Sequence, residues 1–210
     1  MEIRFDEQVA IVTGAGRGLG RSHAIAMASK GAKVVVNDFS GSNVISENAK
    51  SVVQEITSAG GEAIAHGANV ANFDQVQSMV NETIDKWGRV DILVNNAGIL
   101  RDKTFLKMSV EDMREVIDVH LMGSLNCSKA VWEIMREQSY GRIVLTSSSS
   151  GLYGNFGQTN YGAAKMAMVG VMNTLDLEGM KYNIKVNCLA PTAGTAMTDG
   201  LFPEPVFKLM

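Results

Sequence analysis

Short apolar runs recur along the chain, separated by longer segments in which apolar residues return at helical spacing. The runs lie at 8–13, 33–38, 62–70, 90–94, 142–146 and 184–189. They are rich in valine and isoleucine and do not alternate cleanly between apolar and polar positions, which is typical of parallel strands covered by helices on both faces. We therefore predict a sheet of parallel β-strands formed by these runs.

The segments between the runs predict helices at 21–30, 46–59, 72–87 and 161–181, and a long helical stretch from Ser109 to about residue 138. Glycine follows some of them, as at Gly31 and Gly88, and Ser109 with Asp112 resembles a capping box. Alternating strands and helices predict an α/β fold, a Rossmann-type doubly wound parallel sheet with helices on both faces. We expect residues 1–210 to form a single domain.

Composition argues against several classes of function. The net charge of −3 gives no basic surface for nucleic acid. No apolar run reaches the length of a membrane span, and the N-terminus lacks the apolar segment of a signal peptide. Cys127 and Cys188 are isolated and show no metal-ligand spacing. We expect both to be reduced, in the cytosol or the peroxisomal matrix, and we expect no metal site.

A glycine-rich turn, TGAGRGLG, joins the first strand to the first helix and contains Gly14, Gly18 and Gly20. Glycines let the backbone approach a pyrophosphate, which can rest on the N-terminus of the following helix. Alone the turn is a weak signal, because any tight strand–helix turn can need glycine. An acidic residue at the end of strand two strengthens it, so we predict a domain that binds a dinucleotide.

That acidic residue is Asp38, whose carboxylate can accept hydrogen bonds from the adenosine ribose diol. It would repel a 2′-phosphate, because like charges about 4 Å apart cost roughly 4 kcal/mol at an effective dielectric constant near 20. Arg17, inside the turn, argues the other way, since a guanidinium could contact that phosphate, although an ordinary surface arginine is the favoured interpretation. We take Asp38 as the deciding residue and predict NAD as the cofactor.

Ser148, Tyr161 and Lys165 have the spacing of an acid–base site. Lys165 follows Tyr161 by four residues, about one helical turn, so the two side chains share a helix face. A nearby positive charge favours the phenolate, so we predict that Lys165 lowers the pKa of Tyr161. A hydroxyl that polarises the substrate oxygen and a phenol that moves its proton suit the interconversion of an alcohol and a carbonyl compound.

In this order and spacing, TGAGRGLG, the NNAG of residues 95–98, Ser148 and the Tyr161-x-x-x-Lys165 pattern resemble the classical short-chain dehydrogenase/reductases. Without the others, NNAG would be an ordinary turn. The stretches NNAGILRD, GRIVLTSSSSGLYGNFGQTNYGAAK and EGMKYNIKVN are more similar to one branch. That branch is the (3R)-hydroxyacyl-CoA dehydrogenase domains of peroxisomal multifunctional enzyme type 2 and their bacterial relatives. The resemblance covers essentially the whole chain.

The resemblance implies a role for each matching residue. Tyr161 would be the general base in oxidation, Lys165 would lower its pKa and bind the nicotinamide ribose, and Ser148 would hold the substrate oxygen. Other residues would surround the cofactor: Gly14, Gly18, Leu19 and Gly20 at the pyrophosphate, Asn69 and Val70 beside the adenine, Asn96, Ala97 and Gly98 along one wall, and Pro191 and Thr195 beside the nicotinamide. The substrate would be an acyl-CoA, and the assembly a homodimer or homotetramer.

His120 departs from the family pattern, which usually has asparagine at this point of the long helix, where it helps to hold a water in a proton relay. An imidazole can also relay a proton, so we include His120 among the catalytic residues. A histidine that is simply packed in the helix is an equal alternative.

We therefore predict an NAD-dependent oxidoreductase that interconverts a (3R)-3-hydroxyacyl-CoA and a 3-ketoacyl-CoA. An NADPH-dependent 3-oxoacyl-carrier-protein reductase is the close alternative, and a binding-only structural subunit is another. Family members usually have a seventh parallel strand beyond the point where this sequence ends. We therefore expect a C-terminally truncated fold without this strand, in which strand six is a sheet edge, either unpaired or covered by a partner.

Overall fold

The computed structural model describes residues 3–41 and 44–193, which contain one parallel sheet. Its strands are β1 (Val9–Thr13), β2 (Lys33–Asn37), β3 (Glu62–His66), β4 (Ile92–Asn95), β5 (Gly141–Thr146) and β6 (Ile184–Leu189). They lie in the order β3-β2-β1-β4-β5-β6, and every neighbouring pair is parallel. The prediction of a doubly wound parallel sheet is confirmed, and within the described residues β6 forms one edge.

Helices connect the strands. They are α1 (Gly18–Ser29), α2 (Glu47–Ser58), α3 (Phe73–Trp87), α4 (Val110–Ile117), α5 (Gly123–Gln138), α6 (Ser149–Tyr153) and α7 (Thr159–Gly179). A π-helical segment, Asp118–Met122, joins α4 to α5, and a 3₁₀ turn, Met180–Tyr182, follows α7. No helix in the described part of the chain is long and apolar enough to cross a membrane.

Successive residues of the central strands pack against helices on opposite faces of the sheet. Ile11 and Leu93 belong to a buried cluster that includes residues of α3, α5 and α7. Ala10 and Val12 belong to a second buried cluster with residues of α1 and α2. Burial on both faces explains why the strands read as continuous apolar runs.

Side-chain caps set where several helices begin. Ser46 accepts a hydrogen bond from Ala49 N at 3.0 Å at the start of α2, and Asn72 accepts one from Gln75 N at 3.1 Å at the start of α3. The predicted capping box is present at α4, where Ser109 Oγ and the Asp112 carboxylate each accept a backbone N–H. Such side chains satisfy N–H groups that the first turn of a helix leaves unpaired.

Some predicted boundaries were wrong. Strand three was predicted to run to residue 70 but ends at His66, because the backbone beyond it bonds to side chains instead of the sheet. Ala68 N donates to His66 Nδ1 at 3.1 Å, and Asn69 N donates to Gln75 Oε1 at 2.9 Å. The π-helical segment and helix α6 were not predicted.

The order of the strands creates the place for a ligand. Successive connections run in one direction from β1 to β3 and in the other direction from β4 to β6, so the order reverses between β1 and β4. In open α/β sheets, ligands bind in the crevice outside the carboxyl ends of the strands at such a point. The glycine turn follows β1, and the NNAG turn follows β4.

Candidate active site

The glycine turn forms a tight cradle between β1 and α1. Gly14 and Gly18 have φ angles of 62° and 56°, in the left-handed region that favours glycine. Helix α1 begins at Gly18, earlier than predicted, so Leu19 and Gly20 lie in its first turn. Since the first N–H groups of a helix are unpaired within it, this end suits a pyrophosphate.

The NNAG turn is fastened to the cradle by hydrogen bonds. Asn96 Nδ2 donates to Thr13 O at 2.9 Å and to Gly14 O at 3.0 Å. The backbone N–H groups of Asn96 and Ala97 each donate to Thr13 Oγ1 at 3.0 Å. Thr13, at the end of β1, was not singled out from the sequence. Its polar side chain at the end of an otherwise apolar run was the available signal.

Asp38 lies at the side of the same cradle, directly after β2. Its carboxylate sits so close to Gly16 that a Cβ there would collide with it. Ser46 Oγ donates to Asp38 Oδ2 at 2.6 Å, so the serine that caps α2 also orients the acid. Arg17 is exposed at the start of α1. The structure therefore places Asp38, which favours NAD, and Arg17, which favours NADP, at the same cradle.

Of the remaining predicted cofactor residues, those that the structure describes lie at the carboxyl edge of the sheet or close to it. Asn69 and Val70 follow β3, and Val70 O accepts a hydrogen bond from Asn126 Nδ2 at 2.9 Å. Pro191 is half-buried just after β6. Thr195 lies outside the described residues.

Tyr161 and Lys165 lie one turn apart on α7, and Ser148 lies at the start of α6. The Lys165 ammonium nitrogen is 5.5 Å from the centroid of the Tyr161 ring. The Ser148 hydroxyl lies near enough to the Tyr161 phenol to act on its pKa. Residues separated by thirteen positions in sequence, Ser148 and Tyr161, therefore meet at the predicted acid–base site.

Lys165 is held in place by the main chain. Its ammonium donates to Thr146 O at 2.6 Å, and only 4% of the residue is exposed. Burial lowers the pKa of Lys165 to about 8, because a buried ammonium loses hydration. The hydrogen bond thus fixes the lysine ammonium at the carboxyl end of β5, beside the Tyr161 ring.

The prediction that the pKa of Tyr161 is lowered was wrong for this structure. Burial and the nearby Asp102 carboxylate raise the pKa of Tyr161, and the Ser148 hydroxyl opposes this rise only in part. Burial disfavours the phenolate because it removes water from the charged form, and a neighbouring negative charge adds to that cost. Asp102 was not singled out from the sequence.

His120 lies in the π-helical segment and is 2% exposed. Its Nε2 lies 3.0 Å from Ile99 N and 2.8 Å from Ile99 O, so it contacts the backbone just after NNAG. Its ring is edge-to-face with the Tyr161 ring, with centroids 5.2 Å apart. Burial lowers the pKa of His120 to about 3, so the imidazole is neutral near pH 7.

The close packing of His120 explains a glycine in the neighbouring turn. A Cβ at Gly98 would collide with Cε1 of the His120 ring. His120 Nδ1 is buried and has no hydrogen-bond partner among the described residues. The structure is compatible with both interpretations of His120. The ring is packed and hydrogen-bonded to the backbone, as expected for a structural histidine, and it lies beside the predicted catalytic phenol, as a proton relay requires.

Exposed apolar side chains border the site. Tyr153 and Phe156 follow Ser148 and are 86% and 89% exposed, and Phe105 and Leu106 lie in the turn after residue 103. Lys103 N donates to Gly157 O at 2.9 Å, which brings the two segments together. The border provides apolar contact area next to the polar acid–base residues.

The described cysteines do not form a disulfide. Cys127 is buried, and Cys188 is partly buried beside the site. Burial raises the pKa of the Cys127 thiol to about 12. The expectation that both cysteines lie in or near the core is confirmed, and their reduced state stays a prediction.

Comparison with known proteins gives a consistent result. The family model described as short chain dehydrogenase matches residues 8–205. The chain is 50% identical over 211 residues to peroxisomal multifunctional enzyme type 2 of Drosophila melanogaster, covering 99% of this chain but 35% of that protein. It is 46% identical over 204 residues to the 3-oxoacyl-[acyl-carrier-protein] reductase of Synechocystis sp., covering 97% of this chain and 81% of that protein.

A solved structure agrees in fold. It is a 7α-hydroxysteroid dehydrogenase in complex with NADH and 7-oxo glycochenodeoxycholic acid, with a TM-score of 0.89 and 31% sequence identity. The match covers 97% of this chain and 78% of that one. The chain thus spans about a third of the multifunctional fly protein and most of the length of two shorter relatives.

Proposed function

Because the chain belongs to the short-chain dehydrogenase family, we propose that it is an NAD-dependent oxidoreductase that interconverts a (3R)-3-hydroxyacyl-CoA and a 3-ketoacyl-CoA. The observation that carries the proposal is the meeting of Ser148, Tyr161 and Lys165 beside a glycine cradle at the carboxyl edge of the sheet. This arrangement supports acid–base chemistry beside a bound dinucleotide.

The cradle fits a nicotinamide dinucleotide. Close contacts leave no room for a Cβ at Gly14, where Ala97 Cα would lie 2.8 Å away, and α1 begins within the turn. Asp38 beside Gly16 favours the ribose diol of NAD over the 2′-phosphate of NADP, since like charges repel. When bound, the nicotinamide accepts a hydride in oxidation and donates one in reduction.

The protein moves the proton. In oxidation the phenolate form of Tyr161 takes the proton of the substrate hydroxyl and becomes the neutral phenol, while Ser148 holds the same oxygen by a hydrogen bond. The buried ammonium of Lys165, fixed on Thr146 O, supplies positive charge beside the phenol. In reduction the protonated phenol donates to the carbonyl oxygen, and the raised pKa of Tyr161 keeps it protonated near pH 7.

The apolar border supports an acyl substrate. Tyr153 and Phe156 are largely exposed next to the site, and an acyl chain would bury such surface. The choice of a CoA thioester and of the R configuration rests on the resemblance to the multifunctional relatives.

A 3-oxoacyl-carrier-protein reductase that uses NADPH is the second candidate. It is favoured by the Synechocystis relative and by Arg17, which is exposed in the turn where a 2′-phosphate could be reached. Asp38 argues against it. The cofactor preference therefore separates the two candidates.

The test is steady-state oxidation of a (3R)-3-hydroxyacyl-CoA, followed by the appearance of NADH, with NADP assayed in parallel. We expect turnover with NAD, a loss of at least about a hundredfold in kcat for Tyr161→Phe, and little change for the matched control Tyr153→Phe. Asp38→Ala should lower the NAD over NADP preference at least about tenfold. A wild-type preference for NADP would favour the reductase. Equal turnover by Tyr161→Phe would contradict the proposed site.

A further inference from the structure

A short segment after the NNAG turn is fastened to the beginning of α7. We call residues 101–103 the strap. Three hydrogen bonds join it to the residues that precede Tyr161: Lys103 N to Gly157 O at 2.9 Å, Gln158 Nε2 to Asp102 Oδ2 at 2.7 Å, and Asn160 Nδ2 to Arg101 O at 3.3 Å. The strap thus connects the loop after β4 to the helix that carries Tyr161.

The α7 end of this connection is buried and hydrogen-bonded. Gln158 and Asn160 are both buried. Asn155 Nδ2 donates to Gln158 Oε1 at 3.0 Å, so the amide oxygen of Gln158 is engaged and its nitrogen faces Asp102. Asn160 Oδ1 accepts from Tyr161 N at 2.7 Å. The strap is therefore linked by side-chain hydrogen bonds to the residues at the start of α7.

The three strap residues differ in how their charges are balanced. Arg101 pairs with Glu115 at 2.8 Å, and Lys103 pairs with Asp112 at 2.7 Å. Asp102 is held instead by a neutral amide, which fixes the carboxylate without cancelling its charge. Gln158, three positions before Tyr161, holds the carboxylate close to the start of α7, and because Asp102 is exposed, salt in the solvent can screen its charge.

Several other groups face the Tyr161 phenol. Lys165 on α7 contributes a positive charge, with its nitrogen 5.5 Å from the ring centroid. His120 in the π-helical segment packs edge-on but is neutral, because burial lowers its pKa to about 3. Ser148, before α6, contributes an uncharged hydroxyl. Asp102 adds the negative charge to this group.

We propose that Asp102, held by Gln158, is a positioning residue for the catalytic tyrosine and ties the electrostatic field at the phenol to the conformation of the loop after NNAG. The proposal rests on the proposed acid–base role of Tyr161. The negative charge favours the protonated phenol, which is the form that donates a proton during reduction of a ketone. A movement of the strap would change that preference.

The test is a near-ultraviolet titration of tyrosine in the full chain, with the curve of Tyr161→Phe subtracted to isolate Tyr161. Asp102→Asn keeps an acceptor oxygen for Gln158 but removes the charge. We expect Tyr161 to titrate about 0.5 to 1 pH unit lower in this variant, the size expected for one screened carboxylate nearby. The matched control is Asp85→Asn, an exposed carboxylate near the end of α3, which should leave the titration unchanged.

A second measurement uses the wild-type protein. Raising the ionic strength should lower the midpoint pH of the Tyr161 titration. The decrease should be larger in the wild type than in Asp102→Asn, since the variant has lost the exposed charge. Gln158→Met should release Asp102 without removing its charge and should also shift the titration. An unchanged or upward shift in Asp102→Asn overturns the proposal, and so does an equal salt response in the two proteins.

The titration uses no substrate, so it distinguishes this inference from the proposed reaction. A shifted titration without turnover would contradict the proposed substrate but support the role of Asp102. Where turnover is measured, the pH profile of kcat/KM for oxidation should move to lower pH by the same amount in Asp102→Asn. Turnover with an unmoved pH profile would contradict the inference alone.

Discussion

At the scale of single residues, His120 shows how burial determines what a side chain can do. Its ring is enclosed, its Nε2 contacts the backbone of Ile99, and its Nδ1 has no hydrogen-bond partner within residues 3–41 and 44–193. A charged imidazole there would lose its hydration without an anionic partner, which is why its pKa is so low. A relay through His120 stays a prediction, and near pH 7 it would have to use the neutral ring.

The low pKa of His120 predicts a specific loss of stability in acid. The ordinary pKa is 6.5 and the folded value is about 3, so between these values the unfolded chain binds a proton that the folded chain does not. The free energy of unfolding therefore falls as the pH drops below 6.5, and His120 alone should account for about 2 kcal/mol between pH 7 and pH 5.

His120→Asn tests this linkage by urea denaturation at both pH values. Between pH 7 and pH 5, the free energy of unfolding should fall by about 2 kcal/mol less in the variant than in the wild type, because asparagine does not titrate. The pKa values of His23 and His66 are also lowered by burial, but both residues are present in each protein, so their contributions cancel. An identical loss in both proteins would contradict the assignment.

The single residues also mark where sequence reasoning stops. The four-residue spacing of Tyr161 and Lys165 predicted their common helix face, because helical periodicity is local. The direction of the pKa shift at Tyr161 was predicted wrongly, because it depends on burial and on Asp102, which is far away in sequence. The same holds for Ser46, whose bond to Asp38 exists only after β2 and α2 have packed.

At the scale of elements, the helical stretch from α4 to α5 combines a predictable start with an unpredicted interior. Its start is encoded locally by Ser109 and Asp112, which satisfy backbone N–H groups of the first turn. The π-helical segment in its interior carries His120 and faces the loop after β4. Such segments are short interruptions of a helix and are often found at functional sites. They leave no clear apolar period by which a sequence would reveal them.

Ser109→Ala should destabilise the protein through α4 alone. The substitution removes the acceptor for Asp112 N, and the loss of such a cap costs about 1 kcal/mol of the free energy of unfolding. Chemical denaturation at neutral pH measures this loss. Ser109→Thr is the matched control, because it keeps a capping oxygen and should retain most of the stability. If Ser109→Thr lost as much free energy of unfolding as Ser109→Ala, the missing cap would not be the cause of the destabilisation.

At the scale of the whole molecule, the sheet brings together residues that are far apart in sequence. The cradle after β1, Asp38 after β2, NNAG after β4 and Ser148 after β5 all lie at the carboxyl edge because the strands are parallel. The sequence pattern was sufficient for this arrangement, since strand direction decides which ends meet. The side-chain bonds across that edge, such as Asn96 to Thr13 O, follow from strand order and register, which the pattern does not specify.

Because the cradle exists only when β1, β4 and α1 are assembled, cofactor binding should stabilise the folded chain. A ligand that binds only the folded state adds about 2.7 kcal/mol at a concentration of 100 times its Kd. We expect the melting temperature to rise with NAD concentration as this added free energy rises. Tyr161→Phe should keep most of this stabilisation while losing turnover. Asp38→Ala should reduce the stabilisation by NAD, because it removes the predicted partner of the ribose diol. Thermal denaturation against NAD concentration measures all three proteins, and the absence of any shift in the wild type would contradict the dinucleotide site itself.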